Sequence, residues 1–443
     1  MNCEAIQRFR QDIYQSLGRA KDVVFELMDA VLVTRSLSSF AELSLCPVFR
    51  RQWSSLYEGL ADSRPKQRRH REILVQQIPT TQRIIFAGDK TSWSRPTAPT
   101  LKDRGYEIGK SQISGREISL GHGYSTLAWI PEQEGSWALP LLHQRITSAE
   151  TAQSKAAHQL RQVCRQLSQA QGQQRPLSLW DSSYGNGKFL QATAQIACDK
   201  IIRLRSNLVL YNSPPAYQGK GRPRKHGTAF KLCEPSSWGE AQETICLEDS
   251  KRGELEVKRW QKLHFRNAAE IEIEVVRIEY RGKNLDRESR SRQVLWLAGA
   301  CQESLPLAEY ELLYRRRFCL EHWYRFTKQR LHWTLPQFSE TSQSERWSYL
   351  MPLLTWQLWL SRELVQDNPL PWQPQKKSRH RSPGQVAQGF GGLLAVIGSP
   401  TSAPKPRGKS PGWPQGRERS RRRRYPVVKK RCSRKKTESA DDT

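Results

Sequence analysis

Six side chains in this sequence have the types and spacing to do phosphoryl chemistry. Four follow the pattern Tyr314-x2-Arg317-x3-Glu321-x6-Lys328. On one continuous helix, steps of three, four and seven residues return close to the same azimuth, so all four share a face. That face offers one carboxylate flanked by two cations and a phenol, a metal ligand among phosphate-holding groups. The other two are Asp89 and Asp181, each closing a short apolar run: Arg83-Ile84-Ile85-Phe86-Ala87-Gly88 and Leu177-Ser178-Leu179-Trp180. Three converging carboxylates suit Mg²⁺, a hard cation that takes oxygen ligands. An Arg317–Glu321 pair alone would be an ordinary solvated helix pair. The full pattern, behind two strand-end aspartates in this chain order, calls for more than a solvated face.

The surrounding elements predict how these residues are positioned. Residues 1–78 are expected to be helical, with apolar residues at helical spacing through Val23, Val24, Leu27, Met28 and Val31, and again near Phe49, Trp53 and Leu56. The cluster Arg64-Pro65-Lys66-Gln67-Arg68-Arg69-His70-Arg71 gives this helical domain a basic face. A buried-type strand then ends at Asp89, and strands follow near 118–130 and 137–142. Thr147 with Glu150 three residues on predicts a capping box that opens a helix reaching about residue 170. A strand at 177–180 ends at Asp181, a Gly-Asn-Gly turn enters a helix at 188–198, and one strand is expected over 201–210. Alternating strands and helices argue for an α/β sheet. Ligands of such sheets bind beyond the carboxyl ends of strands, where both aspartates are expected to meet.

Residues 212–300 break the alternation. The strict pattern Ile271-Glu272-Ile273-Glu274-Val275 and the apolar run Val294-Leu295-Trp296-Leu297 predict a β-rich insertion. Helices are expected over 307–330 and 344–365. The predicted units are 1–78, 79–211, 212–300, 301–372 and 373–443. The last is rich in Pro, Gly, Ser and Arg, and is expected not to fold alone.

Charge narrows the partner. Lys and Arg number 72 against 43 Asp and Glu, a net +29. Residues 405–436 account for +14 of this, so the remaining +15 belongs to the rest of the chain. Such a surface expects a polyanion, most commonly nucleic acid. No long basic amphipathic helix points to a membrane surface, and no apolar run is long enough to span one. The nine cysteines form no CxxC pair, which disfavours a structural zinc site and fits a reducing, cytoplasmic setting.

These features together resemble one family. The chain is similar, over about residues 80–365, to the insertion-sequence DDE transposases that carry the Tyr-Arg-Glu-Lys signature, the cut-and-paste class with a β-rich insertion before the glutamate. The signature matches at all four positions. Gly88-Asp89-Lys90-Thr91-Ser92 and Asp181-Ser182-Ser183-Tyr184 match the two aspartate segments by context. The resemblance implies an RNase H-like core with Asp89, Asp181 and Glu321 as catalytic, metal-holding residues. It implies two Mg²⁺ ions, replaceable by Mn²⁺, that activate water to nick the element end and then let a 3′-hydroxyl attack target DNA. Arg317, Lys328 and Tyr314 are expected on scissile-strand phosphates. A homodimer on double-stranded DNA follows from pairing two ends. Trp323 and Trp296 are candidates to stack a flipped base, although core packing is the commoner use of either.

Gly219-Lys220-Gly221-Arg222-Pro223-Arg224-Lys225 resembles the Gly-Arg-Pro core of an AT-hook, placing Arg222 and Arg224 in a narrow A·T minor groove. A weaker echo is Pro406-Arg407-Gly408-Lys409 with Gly412-Trp413-Pro414. Three rivals remain. A nuclease of the same fold would cut without joining. A transposase-derived DNA-binding protein would have lost its chemistry, and intact acids argue against that. An RNA-binding protein fits the charge but leaves the Asp, Asp, Glu order unexplained.

Overall fold

The computed structural model describes residues 3–79, 81–108, 118–170, 175–217, 219, 221–249, 253–281, 294–366, 371–372, 381–406, 412, 414–418 and 421–429; of 168–170 and 249 only the backbone is described. The N-terminal part is helical, with α1 Glu4–Ser16, α2 Lys21–Val33, α3 Trp53–Asp62 and α4 Gln67–Gln76. Helix α2 is buried from Val24 to Leu32, two acids included. Both acids are satisfied: Arg50 donates to Glu26, and Arg10 makes two bonds to Asp29 at 2.8 and 3.0 Å. A buried charge persists only when paired in this way.

The strands are β1 Ile85–Ser94, β2 Gly105–Ile108, β3 Ile118–Trp129, β4 Leu139–Ile146, β5 Leu177–Trp180, β6 Asp199–Leu204, β7 Val209–Asn212, β8 Ala229–Lys231, β9 Glu243–Asp249, β10 Gly253–Phe265, β11 Ala268–Tyr280 and β12 Val294–Ala300. Among the described residues all twelve join one sheet, ordered β2-β3-β1-β5-β6-β12-β11-β10-β7-β8, with β4 on β3 and β9 on β10. β1, β5 and β6 run parallel, and antiparallel pairs flank them, so the sheet is mixed. This is the α/β architecture that the alternating elements predict. Helix α5, Ala152–Ala170, packs on β1, β3 and β4, while α6, Gly187–Thr193, packs on α5 and β11.

Successive strand residues face opposite sides, and the core divides accordingly. Phe86 and Trp180 belong to the layer that contains the helices and most of the tryptophans. Ile85, Leu177, Leu179 and Ile201 belong to the other layer, closed by Leu307, Tyr310 and Tyr314.

Several expectations are corrected. The first core strand does not end at Asp89: β1 continues to Ser94 because β3 pairs with it all the way. Only its parallel pairing to β5 stops at Gly88. The strand expected over 201–210 is two strands, split where Leu208 N–H donates to Arg205 O around a Ser-Asn turn. Glu150 does receive bonds from Thr147, but helix α5 begins later, where Thr151 and Ser154 bond reciprocally. The boundary expected at 211/212 falls inside β7, and β12 pairs directly with β6, so strands beyond residue 212 extend the same sheet.

The helix expected over 307–330 is α7 Glu309–Arg315 followed by α8 Phe318–Gln329. Between them Arg316, Arg317 and Cys319 each donate three residues back instead of four, which tightens the chain. The helix expected over 344–365 is α9, Thr341–Leu360.

The C-terminal stretch expected not to fold contains a helix, α10, Pro383–Ile397. Ser382 and Gln385 form a full capping box, Pro383 opens the first turn, and Val386, Ala387, Phe390, Leu393 and Leu394 are buried. Helix α10 packs on α2 and α9, and Arg330 ties the layers by donating to Val31 O, Thr34 O and Ala387 O. Low overall complexity concealed a good amphipathic helix. No helix among the described residues is long and apolar enough to cross a membrane.

Candidate active site

Asp89 stands in β1 one residue past the last parallel pair, and Asp181 directly follows β5. Gly88 and Trp180 are register partners, so the two aspartates leave neighbouring strands side by side. Glu321 lies in the first turn of α8, which packs on β1.

Arg317 joins two of the three acids. One guanidinium nitrogen donates to Asp89 Oδ2 at 3.0 Å and the other to Glu321 Oε1 at 2.6 Å. The Arg317 side chain is 7 % exposed, Asp89 16 % and Glu321 47 %. Asp181 Oδ1 accepts from Ser183 N–H and Oγ–H at 2.9 and 2.6 Å, which fixes the carboxyl at the head of the turn.

Burial pushes the Asp89 carboxyl up to about 6; Arg317 opposes this, and the Asp181 and Glu321 charges push it further. Burial would lower the Arg317 guanidinium, but the Tyr314 oxygen and the carboxyls of Asp89, Glu321 and Asp181 outweigh it and hold the charge. All three acids therefore share one electrostatic site. Among the described residues no three Asp, Glu, His or Cys groups stand close enough together to hold a metal ion. The guanidinium sits between Asp89 and Glu321 and spaces them. The donor set itself suits a hard divalent cation, because it contains only carboxylate oxygens.

Lys328 reaches the same strand, donating to Thr91 Oγ1 at 2.9 Å, and burial lowers its pKa. Tyr314 does not share a face with Glu321. The tight turn after α7 leaves it in the layer under β5 and β6, 4 % exposed, with its hydroxyl unpartnered and its ring centroid 5.9 Å from the Arg317 guanidinium. Trp323 is a core residue donating to Thr355 Oγ1, and Trp296 packs among Phe230, Trp238 and Trp260. Neither can stack a flipped base without leaving the core. Arg222 and Arg224 are exposed in the loop between β7 and β8. Counting strands at ~4.8 Å each puts them roughly 30 Å from Asp89, outside this site. In the tail echo, 407–411 and 413 lie outside the described residues. Within the basic cluster at 64–71, Arg71 binds Gln162 and Gln166 and His70 stacks on Tyr349, whereas Arg64, Lys66, Arg68 and Arg69 are exposed.

Sequence inspection missed two kinds of residue. Tyr184 and Tyr324 are buried beside Asp89, and burial, then the Asp89 charge, raises both phenols well above their ordinary value. Gly88 is the second kind, a residue whose role the sequence pattern does not reveal. A Cβ there would fall inside the Trp180 indole. Gly88→Ala must therefore shift Trp180, whose next residue is Asp181. We expect this substitution to cost about 1–3 kcal/mol of stability and to lower cleavage at least tenfold. Tryptophan fluorescence and a cleavage assay together would check it; unchanged spectra and cutting would show that the site tolerates the extra methyl.

Residues 12–267 match the family model described as DDE superfamily endonuclease. No curated protein matches the chain. The family match covers more than half of the chain and includes both aspartates, though it ends before Glu321. The chain belongs to the DDE superfamily endonucleases. This family membership carries a DNA substrate and the general use of divalent metal ions.

Proposed function

We propose that the chain is a DDE transposase of the Tyr-Arg-Glu-Lys class, with an RNase H-like core in which Asp89, Asp181 and Glu321 cut insertion-element ends and support their joining to target DNA. The observation that carries this reading is Arg317, a buried guanidinium that bridges Asp89 to Glu321 beside Asp181. It links the strand aspartate Asp89 to the signature helix.

The three carboxylates would hold two Mg²⁺ or Mn²⁺ ions, which supply Lewis acidity to an in-line displacement at phosphorus. The rest falls to the chain's own residues. Glu321 is exposed enough to turn inward. Arg317, released from one carboxylate, has a planar fork suited to a scissile-strand phosphate. Lys328 stands two strand residues beyond Asp89 as a point charge for the next phosphate. Burial of Asp89 keeps bulk water from its inner oxygen. The loop bearing Arg222 and Arg224 would bind flanking DNA, and pairing of two ends implies a homodimer on DNA.

The test is cleavage and joining of DNA carrying the element's own ends, with wild type, Asp181→Ala and Glu321→Ala, in Mg²⁺ and in EDTA, and with binding measured in parallel. We expect both variants to bind and neither to cut. In wild type Mg²⁺ should also raise the melting temperature, and Asp181→Ala should remove that rise. Cutting without joining would make the chain a nuclease of the same fold. Binding without cutting under any metal would make it a DNA-binding relative that has lost its chemistry.

A further inference from the structure

The run Arg421-Arg422-Arg423-Arg424 is the densest positive charge in the chain, and it is not free. Two main-chain bonds fix the segment behind it. Tyr425 N–H donates to Pro99 O at 2.8 Å, and Val428 N–H donates to Arg104 O at 2.8 Å. Val428 forms a parallel bridge to Gly105, the first residue of the edge strand β2. Arg422 bonds Ser339 Oγ, and Arg423 lies over the Tyr425 ring at 5.3 Å. The segment thus covers an open sheet edge, a common way of blocking unwanted strand pairing.

Edge protection does not require four arginines. All four are exposed, and none of these contacts is with a carboxylate. Arg422 and Arg423 border a groove of about 360 Å³ lined also by Lys102, Tyr425, Ser339 and Glu340, in which the single acid is outnumbered. The position is also informative. Gly105 pairs with Gly121 of β3, and Gly121 pairs with Ser94 of β1. Ser94 lies five residues beyond Asp89. At ~3.3 Å per residue and ~4.8 Å per strand, the strap stands on the order of 20 Å from Asp89. That is roughly two-thirds of a turn of B-DNA.

We propose that this segment is a fixed phosphate clamp: anchored on the β2 edge, it holds the backbone of the DNA duplex flanking the cut. The proposal rests on the reading of the chain as a DNA-cutting enzyme. It differs from a free basic tail because the anchor matters as well as the charge. A free tail carries the same entropy cost of ordering at each binding event, whereas a strapped one presents its guanidiniums already placed.

Two variants of the full chain separate these cases. Arg421→Ser/Arg422→Ser/Arg423→Ser/Arg424→Ser removes the charge and leaves the anchor. Tyr425→Pro/Val428→Pro removes both anchoring N–H groups and leaves the arginines. Affinity for an element-end duplex is measured from 50 to 200 mM salt. We expect the first variant to bind at least tenfold more weakly at the low end, with the slope of log affinity against log salt reduced by about two to four. The second should weaken binding at least threefold with all its arginines in place. Wild-type slope in the serine variant overturns the proposal. Wild-type affinity in the proline variant overturns it too, leaving the charges as an unstructured tail. If wild type binds no DNA at all, the enzyme reading itself fails, a result separable from both.

Discussion

Asp89→Asn is expected to stop cutting and to stabilise the fold. The Asp89 carboxyl is held at about 6 against an ordinary 3.8, burial being the larger cause. Ionising it in the fold then costs about 3 kcal/mol more than in the unfolded chain, at 1.36 kcal/mol per tenfold. The sign follows from linkage. Between 3.8 and about 6 the folded chain binds more protons than the unfolded one, so stability falls as pH rises through that window. Above it the cost is complete. Asparagine is close in shape and cannot ionise, so the variant avoids this cost. In metal-free buffer at pH 7.5, urea unfolding should show Asp89→Asn more stable by up to about 3 kcal/mol, with the gain vanishing near pH 4. Cleavage should drop by on the order of a thousandfold or more, because the proposed metal site would lose one of its ligands. A variant less stable than wild type at pH 7.5 would show that the Arg317 bond to Asp89 outweighs burial.

Arg317→Ala is expected to be the most destabilising single change in the site. The guanidinium makes one bond to Asp89 and one to Glu321, and its side chain is 7 % exposed. Removing it leaves Asp89 buried beside Asp181 without the cation that offsets its charge. Breaking a buried pair this way typically costs about 3–5 kcal/mol, and Asp89 would then ionise only at still higher pH. Cleavage at neutral pH should fall at least a hundredfold. Arg317→Lys should not restore it, because a single ammonium cannot reach two carboxylates in the same fork geometry. The double variant Arg317→Ala/Asp89→Asn should be more stable than Arg317→Ala alone, since the stranded charge is gone. Additive losses in that cycle would mean that the two side chains do not act on one another.

The parts of the site that were legible from sequence are those set by local pattern. Apolar runs before Asp89 and Asp181 announced two strands, and the strands are adjacent and parallel. The Arg317–Glu321 step gave an ordinary four-residue helix pair, which the structure contains. What escaped was set by distant partners. Nothing near Asp89 tells that β3 carries β1 five residues further. The tightening at Arg316 and Arg317 depends on burying Tyr314 in a different layer from Leu320, a choice made by the sheet between them. The same holds for the residues after 212, whose alternation announced strands but not that they would pair onto β6 through β12. Helix α10 was hidden for a different reason. Its capping box and apolar spacing are ordinary, but they lie between two stretches of Pro, Gly and Arg that dominate the average.

That last helix sets a clock on biogenesis. Helix α10 covers α2 and α9, and Gly398 O, just past α10, accepts from Arg10 of α1. A ribosome adding about 5–20 residues per second needs roughly 20 to 80 s between the two. Throughout that interval the apolar face of α2 that α10 covers stays wet. Such a polypeptide is a natural client for holding chaperones until its far end arrives. Any message cut short before Pro383 should yield a product that proteases clear.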